Sequence, residues 1–219
     1  MASRSGRRGW SGKPAARATT AMTAPADAPI SGVVLAGGLS TRFGSDKAAA
    51  EIGGVSLLER AVRLLESVLD DVWVSVRPDQ ASDALRSRYR CLLDRHPGQG
   101  PAAGLEAAHA SAPGHAWLAL ACDQPSLSAA ELERLVAERD PKAAATACCD
   151  PSTGVLQPLC AIYEPATLAG LAKETARGTG PSPRGYLESR PLKLIPMHIT
   201  NINSPDDLRK YQRSGATTL

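Results

Sequence analysis

The sequence predicts an α/β fold, a single three-layer, doubly wound domain around a mostly parallel central sheet. Three observations predict it. From Ile30 onward, short apolar runs of strand length alternate with segments whose apolar residues recur at helical spacing. Ser-x-x-Glu and Ser-Pro starts and Gly/Pro loops punctuate the boundaries between them. The length, 219 residues, suits one sizeable core and is short for two ordinary domains.

The elements follow in order. Ile30–Ala36 is a buried strand entering a loop at Gly37-Gly38. Over residues 57–69, Leu57, Leu58, Ala61, Val62, Leu64, Leu65 and Val68 form a helical stripe, with Ser56 and Glu59 as a capping box. Val72–Val76 is a second strand, Asp79–Arg88 reads as helical, and Cys91–Leu93 is a third strand. Residues 94–101 are a Gly/Pro loop before an Ala-rich helix over Ala102–Ser111. The strand Trp117–Ala121 stops at Cys122-Asp123-Gln124-Pro125, because proline cannot continue a ladder. Ser128 and Glu131 open a helix to about Arg139. Strands at Ala143–Cys149 and Leu156–Tyr163, a helix at Pro165–Ala176 and a Gly/Pro/Ser loop come next. Leu192–Met197 is the last strand, and Ser204 caps a final helix with Pro205 in its first turn. This alternation is Rossmann-like, and in such sheets ligands sit at the carboxyl ends of the strands.

Composition narrows the function classes. Hydrophobic residues are 43% but aromatics only 4%, so the core rests on Ala, Val, Leu and Ile. The net charge is +3, yet five of the 25 basic residues and none of the 22 acidic ones fall in residues 1–20. The remainder, 20 basic against 22 acidic, is near neutral, which argues against a nucleic-acid-binding body. No apolar run approaches the ~20 residues of a membrane span. Cys91, Cys122, Cys148, Cys149 and Cys160 form no C-x-x-C pair and read as small buried hydrophobes of a reducing, cytoplasmic protein, with Cys148 and Cys149 on opposite strand faces. Residues 1–28 read as a disordered basic leader, 29–213 as the domain and 214–219 as a flexible tail. The leader's Arg/Ser-rich composition is compatible with a transit peptide, and equally with translation starting at Met22.

The chemistry concentrates in Leu35-Ala-Gly-Gly-Leu-Ser-Thr-Arg-Phe-Gly-Ser-Asp-Lys47. Glycines let backbone N–H groups approach a phosphate, and Arg42 and Lys47 add charge in the same loop. The spacing fits neither a P-loop nor G-x-G-x-x-G. A plain surface loop with two incidental bases is the alternative. Asp123, at the end of a buried strand, suits a Mg²⁺ ligand or, alternatively, a turn aspartate. Asn201 and Asn203, one residue apart in extended chain, face one side and either bond a ligand or brace the turn before Ser204. His96 lies in the Gly/Pro loop and reads as surface-exposed.

The pattern L-A-G-G-x-S-x-R-x-G-x-D-K resembles the signature of the molybdenum cofactor guanylyltransferases, whose fold is of the nucleotide-diphospho-sugar transferase type. Asp94 with Gly100-Pro101-Ala102-Ala103-Gly104, Ala121-Cys122-Asp123-Gln124-Pro125 and Asn201-Ile202-Asn203-Ser204-Pro205-Asp206-Asp207-Leu208 resemble three further family segments in the expected order. The resemblance covers residues 30–212. It implies transfer of GMP from GTP to molybdopterin by a monomer, with Mg²⁺ as cofactor and molybdoenzymes or their chaperones as recipients. It implies that Leu35, Ala36, Gly37 and Gly38 line the nucleotide site, Lys47 contacts the triphosphate, and Asp94 contacts the guanine nucleotide. It also implies that Asp123 ligates the metal, and that Arg42, Asn201 and Asn203 lie near the reacting phosphate and the pterin. Ser75 stands where the family often has Asn, and is carried as a nucleotide-contact position; Phe43 replaces a Met and Ala102 a Leu. The rivals are a relative using CTP or another acceptor, and a non-catalytic nucleotide-binding protein.

Overall fold

A computed structural model describes residues 28–215, apart from 97, 179 and 181. The basic leader up to residue 27, Met22 within it, and the last four residues of the tail lie outside the described residues. The strands are β1 (Ile30–Leu35), β2 (Glu51–Ile52), β3 (Val55–Ser56), β4 (Val72–Val76), β5 (Cys91–Leu93), β6 (Ala116–Ala121), β7 (Ala145–Cys149), β8 (Leu156–Tyr163) and β9 (Leu192–Pro196). The helices are α1 (Leu57–Glu66), α2 (Pro101–Ser111), α3 (Ala129–Ala137), α4 (Pro165–Ala176), α5 (Pro183–Glu188) and α6 (Pro205–Arg213).

Seven strands form one sheet in the order β5-β4-β1-β6-β8-β7-β9, in which β8 alone runs against its neighbours. Strand residues alternate between two cores, as the two-residue period of the pleat demands. Val34, Val74, Leu118, Leu120 and Ile162 pack with α1 and α3. Val33, Trp117, Ala119, Ala161 and Tyr163 pack with α2, α4 and α5. Both faces are covered, which is why the central strands β1 and β6 are nearly continuous apolar runs. A third cluster of Phe43, Ile52, Leu57, Ile202 and Tyr211 ties the signature loop to the C-terminal segment.

Several expectations need correction. Residues 79–88 form no helix; they hold 3₁₀ turns at Pro78–Gln80 and Arg86–Arg88. Asp83 takes the backbone N–H groups of Leu85 and Arg86, which diverts this chain from an α-helical ladder. The Ser128–Glu131 capping box forms fully, whereas at α1 only the Ser56 half forms, because Glu59 instead pairs with Arg63. The α3 helix ends at Ala137, two residues short of Arg139. Arg139 bonds Glu164 and the Ala28 carbonyl. The Gly/Pro/Ser loop contains α5, and the β2–β3 hairpin was too short for any periodicity to announce.

All five cysteines are free thiols. Cys148 packs against Cys160 and Met197 in the α1/α3 core. No helix of the described residues is long and apolar enough to cross a membrane.

Candidate active site

The carboxyl ends of β1, β4, β5 and β6 open onto one cleft of about 410 Å³. The end of β1 contributes Leu35, Ala36, Gly37 and Gly38; β4 contributes Ser75; the residue after β5 is Asp94; and Asp123 follows β6. The first turn of α2 adds Gly100, Pro101 and Gly104. Gly100 supplies no side-chain cap to α2, and the first turn of that helix, its positive end, borders the cleft.

The signature loop folds back through local bonds. Ser40, whose φ is 50°, accepts at its carbonyl from the N–H groups of Phe43 and Gly44. Its hydroxyl accepts from the Lys47 amide at 3.2 Å. Asp46 caps the short turn that carries Lys47 by accepting from the Ala48 amide at 3.1 Å. Lys47 thereby reaches across the cleft, its Nζ 2.5 Å from Asp123 Oδ2. The lysine and aspartate are 76 residues apart in the chain and share one cavity. Arg42 sits exposed on the rim.

At the opposite wall, Ser75 Oγ donates to Asp94 Oδ1 at 2.6 Å. Burial pushes the Asp94 carboxyl above its ordinary range, against the pull of the Ser75 bond and the Arg77 charge. A Cβ on Gly37 would stand 2.8 Å from Asp94 Oδ2, and one on Gly104 would stand 2.3 Å from Ser75 Oγ. Both positions therefore need glycine to keep this wall in place. Burial, with the Asp123 charge beside it, pushes the Cys122 thiol up to about 12, so it packs without reacting.

Not every predicted residue reaches the cleft. Asn203 lines it, and its amide also donates to Asp207 at 3.1 Å, so it both faces the cavity and braces the α6 cap. Asn201 is not among the lining residues. Residues 201–203 form no strand, and the buried Ile202, whose amide donates to the Asp123 carbonyl, sets the path of the chain. His96 is outside the cleft; its side chain is 40% exposed, and Nδ1 lies 2.7 Å from Glu106 Oε2. Sequence reasoning missed Ser40, Asp46, Gly104 and Leu159 as lining residues. Asp46 stands inside the signature, so its position was signal enough; Leu159 lies on the reversed strand, where nothing local marked it.

A second cavity, about 430 Å³, lies between α1 and the start of α3. It is mostly apolar and shares only Cys122 with the cleft, so the chemistry belongs to the first. Among the described residues no three His, Cys, Asp or Glu side chains cluster to cage a metal. Asp123, on the glycine-rich loop's side of the cleft, instead suits a hard cation that takes most of its ligands from a bound substrate and water.

A family model for the "MobA-like NTP transferase domain" matches residues 32–189. The chain belongs to this family. It is 32% identical over 183 residues to the "Molybdenum cofactor biosynthesis bifunctional protein" of Synechocystis, a match covering 82% of this chain and 52% of that one. The chain thus spans about half the length of that relative. It is 30% identical over 210 residues to the "Probable molybdenum cofactor guanylyltransferase" of Chloroflexus aggregans, covering 89% and 99% of the two chains. Among solved structures, "Molybdopterin-guanine dinucleotide biosynthesis protein A" of Archaeoglobus fulgidus superimposes with a TM-score of 0.69 at 21% identity, over 86% of this chain and 100% of that one. This MobA-like chain is a nucleotidyltransferase, of a kind that typically uses a divalent metal.

Proposed function

We propose that this MobA-like protein transfers GMP from GTP to the phosphate of molybdopterin, releasing pyrophosphate and forming the guanine dinucleotide cofactor. The observation that carries the reading is the pairing of Lys47 with Asp123 inside the glycine-lined cleft, opposite the buried Asp94. The names of full-length relatives at about one-third identity support the same acceptor and nucleotide.

The loop amides and Lys47 take the triphosphate, with Arg42 at the rim near the attacking phosphate. Ser75 already occupies one oxygen of Asp94, and the other is left for the N–H edge of guanine. Asp123 would hold Mg²⁺, which would supply charge neutralisation on the phosphates. A phosphate monoester is anionic at neutral pH, so the acceptor needs no strong base. The protein's task is alignment and neutralisation of charge at the α-phosphorus. In this reading the Lys47–Asp123 pair would part on substrate binding, freeing the lysine for phosphate and the aspartate for the metal it would hold. Asn203 faces the acceptor side.

Incubating the protein with each of the four nucleoside triphosphates, Mg²⁺ and molybdopterin, and weighing the product, tests this directly. The guanine dinucleotide, with one pyrophosphate per product, is expected. A cytidine product would replace the guanine assignment, and no product with any nucleotide would overturn the reading.

A further inference from the structure

The phosphate loop is gripped from behind. Arg86 Nη2 donates to the Ala36 carbonyl at 3.1 Å, and Arg77 Nη1 donates to the carbonyls of Gly37 at 2.7 Å and Gly38 at 3.2 Å. Three successive carbonyls are thus taken by two guanidiniums. Neither arginine lines the cleft; both line a smaller hollow, about 200 Å³, against the same loop.

The consequence follows from peptide geometry. A trans peptide points its C=O and N–H in opposite directions. Holding the carbonyls of Ala36, Gly37 and Gly38 toward the arginines turns the N–H groups of Gly37, Gly38 and Leu39 away from them. Glycine would otherwise leave these peptides free to rotate, since it adopts many backbone conformations.

Arg86 also holds the far end of the loop. Its Nη1 lies 2.7 Å from Asp46 Oδ2 and 2.6 Å from Asp83 Oδ2, and its Nη2 lies 2.9 Å from Asp46 Oδ1. Asp46 is the residue that caps the turn bearing Lys47. One buried side chain, 1% exposed, therefore joins the start of the loop to the base of the lysine. Burial opposes the Arg86 charge, but the Asp46 and Asp83 carboxylates outweigh it and keep the guanidinium firmly protonated. Arg77 is paired with Asp79 in the same way. With one carboxylate on Arg77 and two on Arg86, little net positive charge is left to attract phosphate, so geometry outweighs electrostatic attraction as the role.

We infer that Arg77 and Arg86 are positioning residues for nucleotide transfer, fixing the loop from behind so that its amides face the triphosphate and Lys47 stands opposite Asp123. The inference rests on the proposed reading that a nucleoside triphosphate occupies this cleft. It goes beyond the signature, because both arginines come from the segment between β4 and β5.

The test compares affinities of the wild type, Arg77→Ala, Arg77→Lys and Arg86→Lys for Mg·GTP and for GMP, with steady-state kinetics and melting temperature for each. Losing a hydrogen bond from a charged donor weakens binding by about 10-fold or more. Arg77→Ala is expected to lose about 10-fold more affinity for GTP than for GMP and to lower kcat as well, while melting close to wild type. Arg77→Lys, a point charge without the fork, should recover part of that loss. Arg86→Lys should act in the same direction, since one ammonium cannot serve all its partners. Arg77→Ala protein that is folded and keeps the wild-type GTP-to-GMP ratio and kcat would overturn the inference. So would equal losses for both ligands that merely follow a fall in melting temperature. If the wild type accepts a different triphosphate, the guanine reading fails while the same ratio, taken with that nucleotide and its monophosphate, still tests the arginines. If it binds none of the four, both fail.

Discussion

The two ends of strand β1 treat polar groups in opposite ways. At its start, Ser31 is fully buried and donates to Asp71 Oδ2 at 2.7 Å. Its oxygen then accepts from His115 Nδ1, also at 2.7 Å. Asp71 further accepts from Trp73 Nε1 at 3.0 Å and Arg90 Nη1 at 2.7 Å, and Arg90 stacks over the Trp73 ring. These bonds hold the Asp71 carboxyl below its ordinary range although burial opposes them. At the other end, Asp94 has one hydroxyl partner, and burial holds it above its ordinary range. One end of the sheet is closed upon itself; the other keeps amides, a carboxylate and a lysine facing open space. A polar network saturated by the protein contributes stability, whereas one left incomplete is available to a ligand at some cost to the fold.

That contrast breaks if a substitution at the open end damages folding more than catalysis. The largest effect expected is from Lys47→Ala, which should lower kcat/KM by roughly 10²–10³ with little change in melting temperature, measured by pyrophosphate release. Gly104→Ala comes next. Its new methyl would meet Ser75 Oγ and Leu35 Cδ2 at 2.3 and 2.6 Å, so α2 must shift from the wall. Overpacking of this sort costs about 1–3 kcal/mol, and here it should also raise KM for the nucleotide, seen by denaturant titration beside kinetics. At the closed end, Ser31→Ala should cost about 1–2 kcal/mol by leaving its neighbours short of a partner, while kcat/KM per folded molecule stays at the wild-type value.

The smallest effect is a matter of pH and sharpens the comparison. Asp94, with its raised pKa, must be ionised to accept from guanine. Nucleotide affinity should therefore fall first as the solution is acidified, and Asp94→Asn should flatten that limb. Asp71 is the reverse case. Its folded pKa is lowered, so its contribution to stability is complete above the unfolded carboxylate pKa of about 3.9 and disappears as pH falls through the folded value. Its side chain is 39% exposed, so solvent screening keeps that contribution small. Acid titrations of GTP affinity and of melting temperature should separate into two limbs in that order.

Much of the cleft was legible in the chain because its groups sit in short motifs. Leu35, Ala36, Gly37, Gly38, Arg42 and Lys47 of the signature line it together with Ser75, Asp94 and Asp123, at the strand ends where the alternation puts a ligand. Asn201 and Asn203 looked equivalent by alternation, yet only Asn203 lines the cavity, since the buried Ile202 controls a segment that is not a strand. Arg86 carried no local sign of its role, and the helix read over residues 79–88 hid it. Its four hydrogen bonds go to three residues, at positions 36, 46 and 83, and two of these are distant in sequence.

The amino-acid order alone determined the alternation of strand and helix, the glycine-rich turn and the placement of charges within it, because periodicity, capping and backbone freedom act over a few residues. Tertiary structure decided the reversal of β8, the meeting of Lys47 with Asp123 and the grip of Arg77 and Arg86 on the loop. Those depend on which strands become neighbours in the sheet and which buried charges find partners across it, and neither is written in any local stretch of the chain.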